Sequence, residues 1–479
     1  MSRLSFPLLP LSLALTLGAC NLAPKYVDPA LPVPPASPEG PAYAGAAEGA
    51  AIMPAETGWR DFFVDPRLAR VIETALANNR DLRLAVANVA QARAQYRIQR
   101  ADLLPTVGVG GTATYQDAPL AQAGTGAGSG RTDTYQAQVG ISAWEIDLFG
   151  RVRNLSQAAQ ENYFASIENR NAAQTALIAE TASAWLTMAA DQERLRIARD
   201  LERAFGQTLD ITRARFAKGI ASELEVRQAQ TSRDQARADI AEATTLVAQG
   251  QNALNLLAGT TVPAADLPPA MPDADVTLAN LPADLPSAVL LRRPDIAAAE
   301  HQLRAANANI GAARAAFFPN ISLTAAFGTL SMGLSNLFGS GSDFWSVAPS
   351  ASVPIFDFGR NKGNLRLARA TYDAMLASYE KSVQTGFREV ADALARRGTM
   401  TEQMDAQTSL RDSARVAYRL SDARFRAGID PFLATLDSQR ALYAAEQGLL
   451  ATRLVRAVNM VELYRAMGGG LTESTPPAP

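Results

Sequence analysis

Between residues 106 and 116 the odd positions hold Val107, Val109, Gly111, Ala113 and Tyr115, while the even ones are Thr, Gly or Gln. Residues 134–146 repeat the pattern, with Tyr135, Ala137, Val139, Ile141 and Ala143 alternating with Gln136, Gln138, Gly140 and Ser142. Alternation of period two predicts a strand with one apolar face. Residues 320–328 (Ile321, Leu323, Ala325, Phe327) and 344–355 (Trp345, Val347, Ala351, Val353, Ile355) read the same way. Each segment is about 10 residues, the length of a transmembrane β-strand. A half-buried soluble sheet carries the same alternation, and the glycine-rich stretch 124–130 suits a hairpin tip in either setting.

The pattern changes period at Arg151. Residues 151–218 and 360–427 are two proline-free runs of 68 residues, rich in Ala and with apolar residues at helical spacing. A glycine ends each run, and a second helix returns over 222–258 or 431–467. A shorter helix precedes each strand pair, over 81–104 and 295–318, and each is closed by a proline. A 68-residue helix would be about 100 Å long, and the two shorter helices placed end to end would be about 90 Å.

These parallels are a tandem duplication. Phe149-Gly150-Arg151 matches Phe358-Gly359-Arg360, and Ala214-Arg215-Phe216 with Gly219 matches Ala423-Arg424-Phe425 with Gly428, both at an offset of 209. Upstream, Asp81-Leu82 matches Asp295-Ile296 and Pro105 matches Pro319 at 214, so an indel of five residues lies between Pro105 and Phe149. The copies span 59–259 and 291–470. Residues 260–290 join them as a linker with six prolines, and 471–479 form a tail. Four strands cannot close a barrel alone, and open edges are not stable in lipid. The chain is therefore expected to oligomerise, giving eight strands in a dimer or twelve in a trimer.

Composition narrows the chemistry. The 479 residues carry 45 Lys+Arg against 47 Asp+Glu, a balance that argues against a nucleic-acid binder. One Cys and one His rule out Cys-based metal clusters and multi-His sites and leave little for His-based catalysis. His301 is given no role. The N-terminus reads as a signal peptide over 1–19: Arg3, then a short apolar run ending in Leu17-Gly18-Ala19-Cys20. These last four resemble a lipobox, which implies acylation of Cys20. Asn21 in place of Asp at the next position implies the outer membrane. Residues 20–58, rich in Pro, Gly and Ala, read as an extended lipidated arm with little to contribute to a core.

Leu291-Arg292-Arg293-Pro294-Asp295-Ile296, Phe318-Pro319, 353–360 (Val-Pro-Ile-Phe-Asp-Phe-Gly-Arg) and Gly468-Gly469-Gly470 resemble the outer-membrane efflux factor family of TolC/OprM/NodT type. The resemblance implies a mainly α chain whose four strands complete a twelve-stranded transmembrane β-barrel in a homotrimer, above a helical periplasmic tunnel. It implies a passive exit duct for the export of small molecules such as drugs and toxic compounds, not an enzyme, working with a periplasmic adaptor and an inner-membrane pump of the resistance-nodulation-division class. No cofactor beyond the lipid on Cys20 is expected. A type I protein-secretion duct and a pore-less periplasmic coiled-coil lipoprotein are the alternatives.

The helical tips supply the candidate sites. Gly219 and Gly428 suit the left-handed residue that ends a helix. Ser222 with Glu225 forms a capping box, and Asp430 with Pro431 an N-cap followed by Pro at N1. The resemblance adds adaptor docking at Gly219, Ser222, Gly428 and Asp430. Leu433 and Asp437 lie four apart on one helix face. The resemblance makes them the closed periplasmic gate, held by Arg440 pairing with Glu225.

Overall fold

The computed structural model describes residues 21–36, 38–43, 54–119, 129–278 and 287–475. Cys20 and the signal segment lie outside them. The chain forms two compact units. One takes the residues up to Pro29 with Asn88–Ser166 and Ala298–Tyr379; the other takes Ala30–Ala87, Ile167–Ala297 and Glu380–Pro479.

The first unit holds the sheet: β1 (Val107–Pro119), β2 (Ser129–Glu145), β3 (Asn320–Ser331) and β4 (Asp343–Ser352), antiparallel in the order β1-β2-β3-β4. Val109 pairs with Val139, Val139 with Phe327, and Phe327 with Trp345, so the alternating apolar residues of all four strands share one face. Val109, Phe327, Trp345 and Val347 are exposed on that face. The first hairpin is longer than the apolar alternation predicts. Backbone pairing continues from Thr114 opposite Thr134 to Pro119 opposite Ser129, carried by polar positions. β4 stops at Ser352 and not at 355, because its partner β3 begins at Asn320, directly after Pro319, and no described strand on the other side pairs with residues 353–355.

The register resolves the five-residue indel. Val107 opposes Ile141 in the first hairpin, and its counterpart Ile321 opposes Ala351 in the second, so β2 maps to β4 at 210 and not yet at 209. Four residues are therefore lost around the hairpin. The fifth is a β-bulge between Ile141 and Trp144, where Ala143 has φ 47°.

α3 (Arg80–Ala101) and α6 (Pro294–Ala315) end three residues before the predicted limits of 104 and 318. A residue preceding proline disfavours the helical region, so the last turn unwinds before Pro105 and Pro319. The Leu104 N–H then bonds the Ala101 carbonyl at 3.0 Å, and the Phe318 N–H bonds that of Ala315 at 3.0 Å. In the first unit Ala158 of α4 (Arg151–Ala217) packs on Ala305 and Ala308 of α6, small residues that let helices approach closely.

The N-terminal arm is not the loose tether its composition suggests. Asn307 donates to the Pro24 carbonyl at 2.9 Å, Arg314 to that of Leu22 at 3.1 Å, and Asn154 to the Asn21 side chain at 2.9 Å. Arg304 covers the Tyr26 ring at 5.0 Å. A Cβ on Gly311 would stand 2.7 Å from the Ala23 Cβ, so only glycine admits the arm there.

The second unit holds the main core. α1 (Trp59–Phe62) and α2 (Pro66–Asn78) bring Phe62, Phe63, Leu68 and Ile72 against Trp185 and Tyr464. Phe62 stacks on Tyr464 at 3.9 Å, and the buried Tyr464 hydroxyl donates to the Thr57 carbonyl at 2.7 Å. α2 is capped as its sequence dictates: the Asp65 carboxylate accepts from the Arg67 and Leu68 N–H groups, with Pro66 at N1. The described part of the linker is packed and not free. Val262, Met271 and Val276 join the core, Thr277 bridges to Phe63, and Trp185 donates to the Asp266 carbonyl at 2.9 Å. The tail is tied as well, since the Trp59 and Arg60 N–H groups bond the Thr472 and Glu473 carbonyls, each at 3.0 Å.

The Arg-Arg-Pro-Asp sequence has a structural meaning. Arg293 is buried and donates to Asp295 at 2.8 Å, Glu389 at 2.8 Å and the Ala466 carbonyl at 3.0 Å. It thus ties the start of α6 to α7 (Arg360–Arg426) and to the end of α8 (Phe432–Ala466). Burial opposes charge on Asp295, but the Arg293 guanidinium outweighs it and holds the carboxyl below the usual range.

Candidate functional site

Two helical tips of the second unit carry the candidate residues. α4 ends in a left-handed Gly219 (φ 71°), and α7 in a left-handed Gly428 (φ 77°). The Gly219 N–H bonds the Phe216 carbonyl and the Ile220 N–H that of Arg215; Gly428 with Phe425 and Ile429 with Arg424 repeat the geometry. These paired bonds are the Schellman arrangement that satisfies the last carbonyls of a helix.

The returning helices start differently. α5 (Glu223–Ala258) has Ser222 as N-cap, its hydroxyl accepting from the Glu225 N–H at 3.3 Å. α8 does not use Asp430 as its cap. Pro431, with ψ 158°, occupies the cap position and has no side chain to bond the first N–H groups. The Asp430 carboxylate turns to Arg424, at 2.5 and 2.9 Å, which holds its pKa below the usual carboxylate range. The counterpart of Arg424 in the first copy, Arg215, does something else. It donates to the Phe425 carbonyl at 2.9 Å and lies over the Phe425 ring at 4.5 Å. The repeated Ala-Arg-Phe sequence marked both arginines, but the alignment alone gave no sign that their partners differ.

Beneath the tips Leu209, Ala229, Phe425, Phe432 and Leu436 form a small core. This burial divides α8 into two faces. Phe432, Thr435, Leu436 and Gln439 point inward, leaving Leu433, Asp437 and Arg440 exposed on the other side. Glu225 is half-buried on α5. Among the described residues no ion pair joins Arg440 to Glu225 within the chain. An exposed Leu beside an exposed Asp on one helix face, with the core sealed behind them, is a surface suited to facing copies of itself or a lumen.

His301, in the first unit, bonds Glu161 through Nδ1 at 2.7 Å, and its ring lies 5.4 Å from that of Phe164.

Residues 71–260 and 285–469 match the family model described as outer membrane efflux protein. The chain belongs to the outer membrane efflux protein family. The toluene efflux pump outer membrane protein TtgC of Pseudomonas putida is 46% identical over 468 residues, covering 97% of this chain and 96% of that protein. The outer membrane protein OprJ of Pseudomonas aeruginosa is 41% identical over 476 residues, covering 99% and 98%. Among solved structures, the open state of the Neisseria gonorrhoeae MtrE outer membrane channel superposes with a TM-score of 0.85 at 38% identity, covering 95% of this chain and 100% of that one. This efflux protein is accordingly an outer-membrane channel component, and its apolar-faced sheet is the part built for lipid.

Proposed function

We propose that three copies of this efflux protein close a twelve-stranded barrel in the outer membrane and line a periplasmic tunnel, a passive duct for small lipophilic compounds with no catalytic step. The observation that carries this reading is the four-stranded sheet: its apolar face is bare and no described strand covers either of its edges, so it is complete only in an assembly. Relatives named for toluene efflux point to apolar cargo over secreted protein. Acylation of Cys20 adds an anchor, and several acyl chains would make it stable where one is marginal.

In this reading a periplasmic adaptor meets the tips at Gly219, Ser222, Gly428 and Asp430, and joins the duct to a pump of the resistance-nodulation-division class. Three Leu433 side chains close the lumen by contact, and three Asp437 carboxylates below them favour cations. Arg440 latches the closed form to Glu225 of a neighbouring copy. That latch, with Arg440 exposed and Glu225 half-buried, would be modest, about 1 kcal/mol, and adaptor binding would break it.

Ethidium efflux tests the function. In a host lacking its own outer-membrane channel, the protein expressed with its adaptor and pump is expected to restore energy-dependent ethidium export. Pump and adaptor exporting equally well without it would overturn the reading.

A further inference from the structure

The first unit leaves apolar side chains bare beside its two open strand edges. Val109 on β1 is 88% exposed and Leu104 just before it 70%, and beyond β4 Ile355 is 96% and Phe358 92% exposed. Their repeat counterparts inside the chain are engaged. Phe149, the counterpart of Phe358, stacks on Phe318 at 4.8 Å, and Phe318 is the counterpart of Leu104. Ile146, the counterpart of Ile355, donates its N–H to the Ile321 carbonyl at 2.7 Å, and Ile321 is the counterpart of Val107. The chain thus contains one finished seam, β2 on β3 with the turn behind it, and displays the two halves of a second.

The finished seam gives the register of the unfinished one. On the tip side of the bulge β2 maps to β4 at 210, and β3 maps back to β1 at 214. Ile141 opposite Ala325 then becomes Ala351 opposite Gly111, and Tyr135 opposite Ser331 becomes Trp345 opposite Asp117. Past the bulge the offset is 209, and Trp144 opposite Leu323 becomes Val353 opposite Val109. The two stretches, shifted by one residue in the finished seam, fall into a single unbroken register in the other, because β4 lacks the bulge residue.

We propose that β4 of one copy adds to β1 of the next copy of this same chain with Val353 opposite Val109 and Ile355 opposite Val107, while Phe358 packs on the next copy's Leu104. This rests on the assembly reading above and adds its register. Three features of the single chain fit. The odd positions of both strands carry the apolar side chains, so this pairing continues the Val139–Phe327–Trp345 face across the seam, whereas a one-residue slip would turn one strand's apolar set to the other face. The Leu330 N–H bonds the Ser342 carbonyl, so even residues of β4 point their backbone groups at β3 and odd ones at the open edge, where this register needs them. Pro349 is an odd residue: its missing N–H costs the β3–β4 ladder nothing, removes one rung from the seam and blunts the edge of a lone chain.

Cysteine pairs test the register. In it Ser350 opposes Thr112 at a position without cross-strand hydrogen bonds, where Cα atoms are about 4.5 Å apart and within reach of a disulfide. Ser350→Cys/Thr112→Cys is compared, in the detergent-extracted full chain, with the parent and with the two pairs displaced by two residues, Ser350→Cys/Thr114→Cys and Ser350→Cys/Gly110→Cys. Mild oxidation and a non-reducing gel read covalent oligomers, and native mass spectrometry reads assembly. The first pair is expected to cross-link about tenfold more than either displaced pair, whose Cα atoms stand too far apart. Trimers that cross-link best through Thr114 or Gly110, or through none of the three pairs, would overturn the register and leave the assembly reading intact. A parent that is not trimeric would overturn the assembly reading, and the seam with it.

Discussion

Arg215 reaches from one helical tip to the other, its guanidinium 2.9 Å from the backbone carbonyl of Phe425 and 4.5 Å above that residue's ring. A charged hydrogen bond and a cation–π contact at a half-buried site together contribute about 1–2 kcal/mol. Arg215→Ala is expected to speed amide exchange at Gly428 and Ile429, the residues that close the second tip, by roughly tenfold. Arg424→Ala is expected to leave the Phe425 contact in place and free only Asp430. Hydrogen–deuterium exchange across residues 420–440 distinguishes the two; equal effects would mean that the crossing contact does not hold the tip.

The glycines separate conformational strain from crowding. Gly219 has positive φ but open space around it, so Gly219→Ala is expected to cost only the backbone penalty, about 1 kcal/mol. Gly259, also at positive φ, would place a Cβ 2.4 Å from the Asn78 carbonyl oxygen. Gly259→Ala is therefore expected to cost clearly more, about 3 kcal/mol or above, as a lower thermal midpoint and reduced folded yield.

Acid stability depends on the Arg293 cluster. The carboxyl of Asp295 is held below its unfolded value, so its contribution is fully present above about pH 4 and is lost as pH falls through the folded value. The Asp295 side chain is nearly half exposed, which limits that contribution to about 1 kcal/mol. Asp295→Asn is expected to lower the melting temperature at pH 7 and to converge with the parent only as pH falls below the folded carboxyl's own lowered value. Arg293→Met is the harsher change. It takes the buried cation from Asp295 and Glu389 together, while Glu389 keeps Arg465 at 3.3 Å, and is expected to cost about 2 kcal/mol.

The proposed gate is tested by conductance. In planar bilayers Leu433→Ala/Asp437→Ala is expected to raise single-channel conductance several-fold, because the contact ring and the carboxylate ring are both removed. Arg440→Ala is expected to raise it less, and Asp437→Ala to weaken cation preference. A double variant that conducts like the parent at every voltage would place the constriction elsewhere.

The repeat and its element order were legible because the residues that mark them are punctuation. Prolines end the short helices, glycines end the long ones, and alternation marks the strands. α2 escaped that reading, although Asp65-Pro66 is a sound start signal, because none of the matched motifs that mark the repeat falls within it. The linker prolines gave no sign that Met271 and Val276 are core residues or that Trp185 bonds the Asp266 carbonyl. The bulge at Ala143 was hidden inside a larger indel, visible only once the strand pairing separated one residue from four. At the tips, capping chemistry located Ser222 correctly. It misassigned Asp430, because Pro431 takes an extended ψ and occupies the cap itself.

Assembly is the central claim, and native mass spectrometry of the detergent-extracted protein tests it most directly. A single dominant species with the mass of three acylated chains, dissociating to monomers on heating in denaturing detergent, is the expected result. A stable monomer, its β1 and β4 edges exposed to detergent, would contradict it.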